Sequence, residues 1–123
     1  MQFDSHKSIY LQLVDLLCEH ILTGKWPPGE KIPSVREMGA LVQVNPNTVL
    51  RAYDYVQQKG IVFNKRGIGY FAEENAVDRI LELQREEFFE IMVPQFFKAM
   101  RLLRVTPEEL WEKYTKLTST TES

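Results

Sequence analysis

The chain has 123 residues, of which 44% are hydrophobic and 26% are charged, a composition typical of folded globular proteins and not of disordered chains. No apolar run approaches the roughly twenty residues that a membrane-spanning helix needs, and the first residues lack the basic and apolar segments of a secretory signal. The single cysteine, Cys18, excludes an internal disulfide. We therefore expect a cytoplasmic protein with no membrane partner.

The charges are divided unevenly along the chain. Residues 1–72 carry eight basic and six acidic side chains, a net charge of +2, whereas residues 73–123 carry seven and eleven, a net charge of −4. Residues 25–70 alone carry seven basic and three acidic side chains, a net charge of +4. A basic first half joined to an acidic second half is expected when the first half binds a polyanion.

A first helix is predicted between Ser8, a suitable N-cap, and Thr23-Gly24, a suitable end. Its apolar stripe repeats at four-residue steps, at Ile9, Leu13, Leu17 and Ile21. Two prolines and a glycine make residues 26–30 a turn. Residues 31–32 are long enough only for a short strand.

Two helices separated by a tight turn are predicted next. Ser34 and Glu37 form the capping-box pattern that begins the first of them, and its inward side chains are expected to be Val35, Met38 and Leu41. Residues 43–44 make the turn.

The following helix begins at Asn45, an N-cap, with Pro46 at the first helical position, and it ends at Gly60. Its apolar face is predicted to consist of Val49, Ala52, Tyr53 and Val56. Two short β-prone runs, residues 61–63 and 70–72, then flank a tip with two glycines and two cations, which predicts a hairpin.

The second half of the chain is predicted to be helical. Residues 73–75 are a polar hinge, and an apolar pattern of helical period follows over residues 76–104, with a kink or break expected at Pro94. Thr106 and Pro107 begin a last helix. We therefore predict three parts: a DNA-binding domain over residues 1–73, a helical dimerisation segment over residues 76–118, and a frayed tail over residues 119–123.

A short helix, a tight turn and a second helix make a helix-turn-helix, in which the second helix enters the major groove of DNA. Its exposed first turns offer Asn45, Asn47, Thr48 and Arg51. Asn pairs with adenine, Thr packs on a thymine methyl group or donates to a base, and Arg takes guanine or phosphate. The alternative is that Asn45 and Pro46 only cap a surface helix.

Cations on the neighbouring elements extend this surface. Arg36 is placed to clamp a phosphate or to reach a base, and the hairpin residues Lys65, Arg66 and Gly67 are suited to the minor groove or the DNA backbone. Taken singly, Arg36 is better explained as a solvated surface residue, and the hairpin as an ordinary polar turn. The combination favours DNA, because one docked duplex would touch all of these residues together.

The spacing of these residues resembles that of the GntR family of bacterial regulators, in particular its short, YtrA-like branch. The resemblance covers the segment from Ile9 to Phe71, a little over half of the chain. It is carried by Pro28-Gly29-x-x-Ile32-Pro33-Ser34-x-Arg36-Glu37, by Val44-Asn45-Pro46-Asn47-Thr48-Val49-x-Arg51-Ala52-Tyr53, by Gly60, and by Arg66-Gly67-x-Gly69-x-Phe71.

The resemblance implies a mainly α-helical fold with a small β-hairpin wing, that is, a winged helix-turn-helix followed by a C-terminal helical dimerisation segment. It implies a cytoplasmic homodimeric repressor of a palindromic DNA operator, with transporter operons as the expected targets. The DNA contacts that it implies are Arg36, Asn45, Asn47, Thr48 and Arg66-Gly67. Many family members carry Arg where this chain has Pro46, which shifts base recognition to Asn45, Asn47 and Arg51.

The C-terminal half carries an aromatic and methionine stripe that something must cover. We expect a two-fold dimer interface at Phe88, Met92, Phe96, Met100 and Leu103. Packing within one chain, against the last helix and the winged domain, is the alternative. A small-molecule effector is compatible with a cleft between the two halves, although no residue pattern specifies one.

Two functions other than DNA binding are the alternatives for this sequence. A winged-helix module for protein or RNA contact has the same elements, and salt-dependent binding to an inverted repeat would distinguish DNA binding from it. Catalysis is disfavoured because Cys18 and His20 lie on different faces of one helix and no zinc ligand set exists. We expect no enzyme activity, no metal and no cofactor.

Overall fold

The computed structural model describes residues 7–121, and the side chains of residues 7–119. Helices and one hairpin account for most of this part of the chain. Their order is α1 (Ile9–Leu22), α2 (Val35–Val42), α3 (Pro46–Gln58), β1 (Val62–Lys65), β2 (Gly69–Ala72), α4 (Ala76–Glu87), a π-helical turn (Phe88–Met92), α5 (Val93–Leu103) and α6 (Pro107–Thr121).

The chain divides into two compact units, Met1–Leu83 and Gln84–Ser123, and the division falls inside α4. The functional division predicted between residues 73 and 76 stays a prediction. Helix α6 continues to Thr121, three residues into the tail predicted for residues 119–123. The rest of that tail, and residues 1–6, lie outside the described residues.

The first unit holds the core. Every buried side chain in the described part of the chain belongs to it, and the whole predicted face of α3 is buried: Val49, Ala52, Tyr53 and Val56. Helix α3 packs against α1, and Leu17 of α1 and Ile80 of α4 belong to the same buried cluster as the face of α3. This tight packing fixes α3 as a rigid element whose remaining face is available to solvent.

The predicted caps of α2 and α3 are present. The backbone N–H of Ser34 donates to the Glu37 carboxylate (2.9 Å), and the Glu37 N–H donates to the Ser34 hydroxyl (3.0 Å). Gln43 adopts a left-handed conformation (φ 56°) in the turn, and Gly60 does so after α3 (φ 75°). Ser8 occupies the N-cap position of α1, but its side chain makes no cap hydrogen bond.

Two side chains expected to face inward are exposed. Leu41 is 71% exposed, because α2 ends one residue later and the half-buried Val42 packs on the core in its place. Ile9, the first residue of α1, is also exposed. Met38 is buried and Val35 is half-buried, as predicted.

The hairpin is antiparallel, with Val62 opposite Ala72 and Lys65 opposite Gly69. Residues 30–32 add a third segment along β2, because the Ile32 N–H donates to the Tyr70 carbonyl (2.9 Å) and the Ala72 N–H donates to the Glu30 carbonyl (3.0 Å). Where the sequence predicted a short strand at residues 31–32, the structure has a single isolated bridge between Lys31 and Phe71. The first unit is therefore a winged helix-turn-helix, as the sequence predicted.

The second unit keeps its helix continuous through Pro94. Proline has no N–H to donate and crowds the carbonyl four residues earlier, and the chain responds with the π-helical turn directly before α5. There the Val93 N–H donates to the carbonyl of Phe88, five residues back. No described helix combines the length and the apolar character needed to cross a membrane.

Candidate nucleic-acid interface

The first turn of α3 is polar and points to solvent. Asn45 and Asn47 are exposed and Thr48 is half-buried, whereas the next residue, Val49, is fully buried. The Asn45 side-chain oxygen accepts the Asn47 backbone N–H at 2.8 Å. The side-chain oxygen of Asn45 is thus already used to cap the helix. The side-chain amide of Asn47 is therefore better suited than that of Asn45 to pair with a base through two hydrogen bonds.

Arg51 lies one turn further along α3 and is held by a contact that the sequence did not predict. Its guanidinium carbon is 3.9 Å from the centroid of the Tyr10 ring, on α1. A stacked arginine loses less side-chain freedom when it binds a partner than a mobile one does.

Helix α2 contributes an exposed cation, Arg36, in its first turn. The neighbouring Glu37 is engaged by Ser34, and the hydrogen bonds from Ser34 lower the pKa of the Glu37 carboxyl. Glu37 therefore remains ionised and serves as part of the helix cap. Arg36 is the residue of this turn that is suited to bind an anion.

The tip of the hairpin is cationic and tightly turned. The Ile68 N–H donates to the Lys65 carbonyl (2.9 Å), and Gly67 has a φ of +80° with open space around it. Only glycine adopts this conformation without strain. The Lys65 ammonium lies 5.1 Å from the centroid of the Phe71 ring, and Arg66 and Gly67 form the exposed tip.

One side chain links all three elements. The buried Tyr53 of α3 packs edge-to-face on Tyr70 of β2, with ring centroids 4.9 Å apart, and its hydroxyl donates to the Pro33 carbonyl before α2 at 2.6 Å. Burial raises the pKa of Tyr53, so the phenol keeps its proton. The start of α2, helix α3 and the wing are thus fixed to one another.

Two residues of this surface were not predicted from the sequence. Lys31 is exposed in the strand segment beside β2, and its side chain lies against Gly69, where an added Cβ would come 2.8 Å from the lysine Cε. The second is Tyr10 of α1, whose ring lies beneath the Arg51 guanidinium. Lys31 could have been found from the sequence by pairing residues 30–32 with the strands of the wing. No pattern of neighbouring residues indicated the contact between Tyr10 and Arg51.

Cys18 is buried, and burial together with the Asp15 carboxylate raises the pKa of its thiol to about 12. A neutral, buried thiol is a poor nucleophile. In the described part of the chain, no three residues among His, Cys, Asp and Glu are grouped so that they could hold a metal ion.

The second unit has an apolar surface in place of a core. None of the side chains described between residues 84 and 119 is buried. The predicted interface residues Phe88, Met92, Phe96 and Leu103 are exposed, and Met100 is half-buried. An apolar cleft of about 1000 Å³ runs between α5 and α6, lined by Phe96, Met100, Trp111 and Leu117 among others.

Comparison with known proteins gives a consistent result. The model of the family described as "Bacterial regulatory proteins, gntR family" matches residues 9–71. An uncharacterized HTH-type transcriptional regulator of Bacillus subtilis, YhcF, is 39% identical over 90% of each chain. The HTH-type transcriptional repressor YtrA of the same organism is 32% identical over 83% of each chain.

A solved structure shares the fold over almost the whole chain. It is a transcriptional regulator of the GntR family from Bacteroides thetaiotaomicron, with a TM-score of 0.83 and 36% identity, and the match covers 94% of this chain and 100% of that one. These relatives are transcription regulators and not enzymes, as the sequence predicted.

Proposed function

Because this chain belongs to the GntR family of DNA-binding bacterial transcription regulators, we propose that it is a cytoplasmic repressor that binds a palindromic operator as a homodimer. The name of the similar protein YtrA, a transcriptional repressor, supports repression. The proposal that the operator controls a transporter operon rests on the resemblance to the short branch of the family.

The observation that carries operator binding is the division of α3 into two faces. Its buried face is fully packed, and its first turns present Asn45, Asn47, Thr48 and Arg51 to solvent or at the surface. We assign base contacts to Asn47 and Thr48, and phosphate or groove contacts to Arg36, Lys65 and Arg66-Gly67. The Tyr53 contacts support this assignment, since they hold α2, α3 and the wing in a fixed arrangement.

Dimerisation is supported by the exposure of the second unit, since none of its side chains described up to residue 119 is buried. A short helical segment with exposed Phe88, Met92 and Phe96 would leave a large apolar surface in water. A second copy covers such a surface by two-fold symmetry. It also presents two α3 helices to two half-sites of the operator.

The test is selection of bound fragments from random double-stranded DNA, followed by affinity measurements on the selected duplex and on a scrambled duplex at several salt concentrations. The proposal predicts an inverted repeat and a steep loss of affinity with salt. A chain that binds RNA or protein, and selects no duplex sequence, would contradict it.

A further inference from the structure

The contact between Arg51 and Tyr10 joins the exposed face of α3 to the beginning of α1. The guanidinium carbon lies 3.9 Å from the Tyr10 ring centroid. Tyr10 is itself supported, because it is half-buried and contacts the Tyr55 ring edge-on at 6.4 Å. The arginine is therefore drawn to the side of α3 that faces α1.

A notch of about 320 Å³ opens at this place. Its walls come from the first residues of α1 and the first turns of α3, and they consist of Ser8, Ile9, Tyr10, Asn47, Thr48 and Arg51. Three hydroxyls, one amide and one guanidinium give this lining hydrogen-bond donors, and none of the six residues carries a carboxylate. The chemistry of the notch suits an oxyanion.

The geometry decides between the two partners open to Arg51, a base and a phosphate. A guanidinium that lies over an aromatic ring keeps N–H groups for a partner, and these match a guanine edge as well as the oxygens of a phosphate, so the position of the notch decides between them. The notch lies between the first residues of α1 and the first turns of α3, on the side of α3 that faces α1, and Asn45 at the N-terminal end of α3 does not line it. A helix in the major groove has the DNA backbone along its sides.

We propose that Tyr10 is a positioning residue that holds Arg51 in this notch for a backbone phosphate of the operator. The inference rests on the proposed function, since it requires α3 to bind DNA. By this inference Arg51 contacts a phosphate and not a base, and the bases are contacted by Asn47 and Thr48. The inference also gives α1 a role in DNA binding that the helix-turn-helix alone does not include.

The test uses the full chain, the duplex that the wild type selects, and a scrambled duplex of equal length. Arg51→Ala should lower the affinity for both duplexes by the same factor, about tenfold for each bound protomer, and should reduce the salt slope by about 1 per protomer. Tyr10→Leu should lower both affinities by a smaller common factor. Tyr10→Phe keeps the ring under the guanidinium and should lose less affinity than Tyr10→Leu.

A double-mutant cycle separates positioning from general stability. In an Arg51→Ala background, Tyr10→Leu should cause no further loss of affinity, because no guanidinium remains to be held. The same loss in both backgrounds would overturn the inference, as would an Arg51→Ala variant that changes preference at one base pair with an unchanged salt slope. If the wild type itself binds no duplex, the proposed function fails, and the inference fails with it.

Discussion

Tyr53 and Tyr70 lie edge-to-face with ring centroids 4.9 Å apart, and this contact joins the middle of α3 to the second strand of the wing. The Tyr53 hydroxyl extends the link to the Pro33 carbonyl, immediately before α2. A single buried side chain therefore sets the spacing of the three elements to which we assign DNA contacts.

The Tyr53 hydroxyl should contribute measurably to stability. Tyr53→Phe keeps the ring contact but leaves the Pro33 carbonyl without this donor, and we expect a loss of about 1 kcal/mol in the free energy of unfolding, measured by urea denaturation. Tyr70→Phe is the matched control, because it keeps the same ring pair and should unfold close to the wild type. Equal losses in the two variants would contradict this role for Tyr53.

Asn47 should discriminate one base pair. Asn47→Ala removes an exposed amide at the start of α3, and we expect a loss of roughly 1–3 kcal/mol in binding to the selected duplex, with relaxed preference at a single position. Affinities for duplexes substituted at each position measure this. Unchanged affinity and preference would show that Asn47 does not read a base.

The wing cations should act without regard to sequence. Lys65→Ala and Arg66→Ala should each weaken binding to selected and scrambled duplexes alike, and each should lower the salt slope by about 1 per protomer. Lys31→Ala should have the same effect, because its side chain lies against Gly69 of the wing. A loss confined to the selected duplex would instead place these cations on bases.

The exposed stripe of the second unit should hold the dimer together. Phe96→Asp places a charge on a side chain that is 48% exposed in the single chain and, by our proposal, covered in the dimer. We expect monomers in sedimentation experiments and weaker operator binding, because two half-sites would no longer be joined. Gln95→Asp, with the same charge one residue away on α5, is the control and should remain dimeric.

His20 should make the fold sensitive to mild acid. Burial lowers the pKa of His20 below its ordinary value of 6.5, and its ring lies against Trp26, with centroids 4.8 Å apart. Because the unfolded chain takes up this proton more readily, stability should fall as the pH drops below about 6.5. Thermal unfolding between pH 7.5 and 5.5 measures the fall, and His20→Gln should reduce it. An equally steep fall in both proteins would assign the effect to other groups.

Features specified by adjacent residues were predictable from the sequence. The capping box of Ser34 and Glu37, the Asn45 cap and the left-handed Gly60 each depend on a few neighbouring positions, and all three are present. The buried face of α3 followed from its helical period. The turn of the wing followed from Gly67, whose conformation excludes most other residues.

Features that depend on distant packing were not predictable. The exposure of Leu41 depends on which residue of a two-turn helix meets the core, and the contact of Arg51 with Tyr10 joins residues 41 positions apart. The π-helical turn depends on how the helix accommodates Pro94 without breaking. Periodicity carries no information about any of these.

The central claim is that the first turn of α3 and the tip of the wing bind one duplex at the same time. Backbone amide NMR signals, followed while the selected duplex is added, test it directly. The account predicts that the signals of Asn47 and Thr48 and those of Arg66 and Gly67 shift together and saturate at the same DNA ratio. Shifts in only one of these groups, at every DNA ratio, would contradict it.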